Sequence, residues 1–91
     1  MAEMIQDEDV LRNISENVRL LLGDRGWSQT ELAKRTGDPL MTISSVVRGK
    51  HMPGAGILAR IAEAFHASME RLTAPSPVFS EENPKILQNQ R

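Results

Sequence analysis

The sequence predicts an all-α protein, a compact bundle of five short helices. Apolar residues recur at spacings of three and four along the chain, the period of a helix surface and not of a strand. Glycine, proline, serine and aspartate interrupt that pattern at helix-length intervals, where caps and stops belong. No strand alternation, hairpin signal or internal repeat competes with it.

Val10, Leu11, Ile14, Val18, Leu21 and Leu22 form one apolar stripe on a first helix from about Asp9 to Arg25. Asp7 or Asp9 is placed to cap its start, and Gly26 to end it. "SQTE", Ser28 to Glu31, reads as a capping box: the serine accepts from the backbone N–H three residues on while the glutamate reaches back. The second helix turns Leu32 and Ala33 inward and stops at Gly37. Asp38 then offers an N-cap, with Pro39 at the first helical position, where a missing N–H costs nothing. Ile43, Val46 and Val47 give the third helix its inward face, and Gly49 ends it. After the loop "KHMPGAG", Leu58, Ile61, Ala62 and Phe65 stripe a fourth helix, and Ser68 caps a short fifth through Leu72. The expected core is Val18, Leu21, Leu22, Leu32, Ala33, Ile43, Val46, Leu58, Ile61, Ala62, Phe65 and Leu72, with Trp27 partly buried. Three stretches follow: an acidic arm over 1–8, the folded domain over 9–73, and a tail over 74–91 that is flexible or dimer-associated.

At 91 residues the chain is one domain. It has no cysteine, which excludes disulfides and thiolate metal sites. His51 and His66 are 15 residues apart, off any common helical face, so no metal or cofactor is expected. No apolar run approaches the ~18 residues of a membrane span. The start "MAEMIQDEDV" is acidic, unlike a signal peptide, so the expectation is a cytoplasmic protein without a membrane partner. The net charge of −1 is unevenly spread: residues 1–11 carry −4, residues 12–72 carry +3 and residues 73–91 carry none. A mildly basic middle permits phosphate binding without demanding it. No Ser/His/Asp set, phosphate loop or carboxylate pair in a pocket can be assembled, so no enzyme is expected.

A second helix, a short turn through Gly37 and a third helix have the spacing of a helix-turn-helix. From Asn17 to Leu72, about 56 of 91 residues, the chain resembles the Xre/Cro family, the DNA-binding domain of lambda-type phage repressors. The runs that carry the resemblance are "VRLLLGDRGWSQTELAKRTG", "TISSVVRGKHMP" and "LARIAEAFHASMERL", in order and without insertion. It implies a lambda repressor-like bundle of five helices that binds double-stranded DNA as a symmetric homodimer. The fourth-to-fifth helix region and the tail, with Met69, Val78, Phe79, Ile86 and Leu87, are the expected dimer contacts.

The expected DNA contacts are Ser28, Gln29 and Thr30 at the start of the second helix, where Gln29 resembles the family glutamine that lies along a phosphate and buttresses the reading helix. Pro39, Leu40, Met41, Thr42, Ser44 and Ser45 follow on the third, and Arg48, Lys50 and His51 lie at phosphates beyond it. Three departures stand out. Where many relatives pair an arginine with a glutamate between the first and third helices, Leu22 and Val47 are both apolar, a brace changed in kind. His66 stands where relatives often have the glycine of a helix end. Leu40 and Met41 stand where relatives have side chains that pair with base edges; these two can contact only the thymine methyl, while Thr42, Ser44 and Ser45 add single hydrogen bonds. At least one of Leu40 and Met41 must point outward, since Ile43, Val46 and Val47 already fill the inward stripe. The expected function is a DNA-binding transcriptional regulator, a repressor with its third helix in the major groove. The alternative is an antitoxin-like or adaptor protein that uses the same face chiefly to dock a protein partner.

Overall fold

The computed structural model of the chain describes residues 6–76. Five helices follow in order: α1 (Asp7–Arg25), α2 (Gln29–Thr36), α3 (Leu40–Arg48), α4 (Ala55–Phe65) and α5 (Met69–Thr73). No strand occurs among the described residues. The residues assigned to the arm before Gln6, and Val78, Phe79, Ile86 and Leu87 of the tail, lie outside the described part.

α1 packs against α3 and α5, α2 against α3 and α4, and α4 against α5, so α1 and α4 hold the helix-turn-helix between them. All twelve residues expected in the core are buried, and Ile14 and Val47 join them. Leu22 and Val47, the apolar pair at the changed brace, both lie within that core. Trp27 is partly buried and stacks on Phe65 with ring centroids 5.3 Å apart. The Arg35 guanidinium lies over the Trp27 ring, 4.0 Å from its centroid. Arg25 lies 5.7 Å from the Phe65 centroid and donates to the Phe65 carbonyl at 2.5 Å, fastening the end of α1 to the end of α4.

Several caps differ from the sequence expectation. Neither Asp7 nor Asp9 caps α1: the helix begins at Asp7, with Gln6 at the N-cap position and no side-chain cap bond. Asp9 pairs with Arg12 instead, at 2.9 Å. Asp7 and Glu8, assigned to the arm, belong to the first turn, where acidic side chains oppose the positive end of the helix dipole. Ser28 does cap α2, accepting from the Glu31 N–H at 3.1 Å, but Glu31 turns away to Arg35 at 2.8 Å, so the box is half-made. Residues four apart on a helix are neighbours, so Arg35 offers Glu31 a competing partner one turn on.

The start of α3 needs the largest correction. Pro39, not Asp38, is the N-cap residue, extended at φ −62° and ψ 146°, and the helix opens at Leu40. Asp38 forms a two-pronged pair with Arg60 of α4 at 2.7 and 3.1 Å. A charged fork across the bundle outcompetes a local cap.

Ala74 and Ser76, assigned to the tail, lie against the bundle, with Pro75 between them exposed. Asn17, fully buried on α1, donates to the carbonyls of Leu72 at 2.8 Å and Ala74 at 2.7 Å and accepts from Arg71 at 2.9 Å. Asn13, one turn earlier, donates to the Thr73 carbonyl at 3.0 Å. Ser76 is 2% exposed, and its hydroxyl has no partner among the described residues.

His66 ends α4 in the left-handed conformation at φ 57°, the one non-glycine residue with positive φ in the described part. That conformation lets the Ala67 N–H reach the Ala62 carbonyl at 2.8 Å. A Cβ there costs roughly 1–2 kcal/mol. His66→Gly is therefore expected to raise the unfolding free energy by about 1 kcal/mol in urea titrations, despite the greater freedom glycine gives the unfolded chain. A destabilised variant would show that the imidazole contributes more than its backbone strain costs.

Candidate nucleic-acid interface

The turn between α2 and α3 is three residues long, and Gly37 makes it possible with φ 82°. Its N–H closes α2 on the Ala33 carbonyl at 2.8 Å. Ala33, buried on α2, presents only a methyl where that helix packs on its neighbours. From this turn α3 emerges with Ile43, Val46 and Val47 inward. The opposite side is left to solvent.

That outward side carries the residues expected at the target. Leu40 is 47% exposed and Met41 79%, so both point outward and neither fills the core. Thr42, Ser44 and Ser45 are half-buried beside them, and Arg48, Lys50 and His51 are exposed at the end of α3 and in the loop after it. Pro39, Met41, Thr42, Ser45, Arg48, Lys50 and His51 line one open groove of about 670 Å³, together with Met52, Pro53 and Ile57 from the α3–α4 connection and α4. Leu40 and Ser44 do not line it. Ser28 and Thr30 are exposed and Gln29 half-buried at the start of α2, also outside this groove.

Sequence reasoning missed the groups that seat the far end of α3. The last turn of a helix leaves carbonyls without intrahelical partners. The Val47 carbonyl accepts from the Ser15 hydroxyl at 2.6 Å and from Arg19 Nε at 3.1 Å, both on α1. Gly49 follows at φ 67°, and a Cβ there would meet Ser15 Cβ at 3.4 Å, which shows how closely the helix end approaches α1. The polar Ser15 inside an apolar stripe was the one signal available; nothing in the sequence named its acceptor.

The near end is set by the Asp38–Arg60 fork, which ties the turn to α4. Hydrogen bonding from Arg60 holds the Asp38 carboxyl below its ordinary pKa of 3.8, its desolvation opposing that shift. A depressed folded-state pKa contributes stability above the unfolded value and loses it as pH falls through the folded one. The stability difference between wild type and Asp38→Asn is thus expected to be largest near neutral pH and to shrink as pH drops below 3.8. Urea midpoints across that range check it; a difference independent of pH would place the effect in something other than the charge.

Together these elements make a helix-turn-helix: one helix braced at both ends and exposed along one side, with Arg48 as its last residue and Lys50 just beyond it. The helix-turn-helix family profile matches residues 18–72, more than half of the chain, and the chain belongs to that family, of the Xre or lambda repressor-like type. Among solved structures it is similar to the crystal structure of a hypothetical transcription factor, NHTF, from Neisseria. The two share 27% identity over 94% of each chain, with a TM-score of 0.72. No curated protein matches it. Family and neighbour support a DNA-binding regulator. No helix of the described part is long and apolar enough to cross a membrane.

Proposed function

We propose that this protein is a sequence-specific regulator of transcription, a repressor, that lays α3 in the major groove of double-stranded DNA. The observation that carries this reading is the co-location, on one side of the helix-turn-helix, of the outward face of α3 and the exposed Arg48, Lys50 and His51. The face reaches base edges while Arg48, Lys50 and His51 meet phosphates, a division of labour that positions by backbone and specifies by bases. Ser28, Gln29 and Thr30 approach the flanking backbone at the start of α2. The protein acts by binding, with no catalysis of its own.

We further propose that it binds as a homodimer. One reading helix covers only a few base pairs, and two half-sites a helical turn apart supply affinity and specificity. Met69, 41% exposed at the start of α5, marks the face for pairing. Sedimentation of the protein–DNA complex is expected to show two chains per duplex; a single chain on a half-site footprint overturns the dimer.

The exposed apolar edge of Leu40, Met41 and Met52 favours a second reading, a docking face for another protein. Retention on DNA resin that falls as salt rises supports the first reading. Leu40→Ala and Met41→Ala variants that keep their DNA-site preference while losing a protein partner support the second.

A further inference from the structure

Three of the four large exposed apolar side chains of the described part, Leu40, Met41 and Met52, lie on α3 or in the loop that follows it. Met41 and Met52 line the groove with Pro39, Pro53 and Ile57, while Arg48, Lys50 and His51 line the same opening. The occupant must therefore offer anionic charge to Arg48 and Lys50 and apolar surface to the thioethers at once. A DNA major groove does both, and the C5-methyl group of a pyrimidine is the apolar feature it displays. Thr42 and Ser45 add single hydrogen bonds, which do not define a base as a bidentate amide or guanidinium does.

We propose that this groove reads the C5-methyl groups of pyrimidines, accepting thymine and 5-methylcytosine alike, and that methyl contact supplies most of its base preference. Resting on the DNA-binding reading, the inference adds the chemical feature recognised and a consequence for methylated DNA. Met41, Met52 and Ile57 carry no group able to distinguish the thymine O4 acceptor from the cytosine N4 donor. Unbranched, polarisable methionines can instead close around a methyl wherever the helix brings one.

The test begins with duplexes enriched from a random pool by the full chain. In the enriched duplex each thymine is replaced in turn by deoxyuridine, which removes only the methyl, and affinity is read by fluorescence anisotropy at fixed salt. At two or more positions the loss is expected to be about fourfold, equivalent to the ~0.8 kcal/mol of one buried methyl-sized group. At those positions a 5-methylcytosine·guanine pair is expected to bind better than cytosine·guanine by a similar factor. Met41→Ala, altered at a residue 79% exposed, is expected to lose the uracil effect at one position. Uracil substitutions without effect, or no gain from methylating cytosine, overturn the inference and leave DNA binding standing. Failure to enrich any duplex overturns both.

Discussion

Phe65→Ala is expected to cost about 3–5 kcal/mol of unfolding free energy, the range for removing a buried aromatic. The side chain is fully buried and stacked on Trp27, and its carbonyl and ring both engage Arg25. Its loss leaves a cavity where α1, α2 and α4 converge. Domains of this size hold only about 5–15 kcal/mol in all, so the variant should lose a large share of its stability. Urea titration followed by far-ultraviolet circular dichroism measures it. A loss under 1 kcal/mol would mean that the Trp27–Phe65 layer does not close the core.

Arg48→Ala and Lys50→Ala are expected to weaken binding to every duplex, selected or random, by about eightfold each at 0.1 M salt, since each phosphate contact releases about 0.9 counterion. The double variant should lose roughly sixtyfold, with the slope of log affinity against log salt flattened by about 1.8. Both side chains are exposed and outside the core, so the fold should be retained. A loss confined to the selected duplex would put these residues at bases rather than phosphates. An unchanged salt slope would take them out of the interface.

Much of the fold is legible in the sequence because it rests on short-range patterns. Ile43, Val46 and Val47 share one side of α3 by spacing alone, and all three are buried. Ser28 and Ser68 cap α2 and α5 as their positions indicate, because the N–H groups they bind are three residues away. His66 ends α4 at the position where the family pattern often has glycine, and takes the left-handed conformation there.

What was not legible depends on pairs far apart in the chain. Asp38 looks like a cap locally and serves α4 instead, because Arg60 arrives 22 residues later. Asn13 and Asn17 meet carbonyls 55 to 60 residues away, and Ser15 and Arg19 meet one 32 and 28 residues away. Bonds from a side chain to a distant backbone carbonyl leave no periodic trace, since any residue supplies the acceptor. At the candidate interface, spacing required at least one of Leu40 and Met41 to face outward, and both are exposed. The groove beside them was not legible, because Met52, Pro53 and Ile57 come from a loop and a helix whose approach to α3 only the packed fold defines.

We propose that α3 enters the major groove. Chemical interference on an enriched duplex tests it most directly, because methylation at guanine N7 blocks the major groove and at adenine N3 the minor groove. The prediction is loss of binding from N7 methylation within two clusters about one helical turn apart, with N3 methylation between them tolerated. Interference confined to N3, or none at either position, would contradict it.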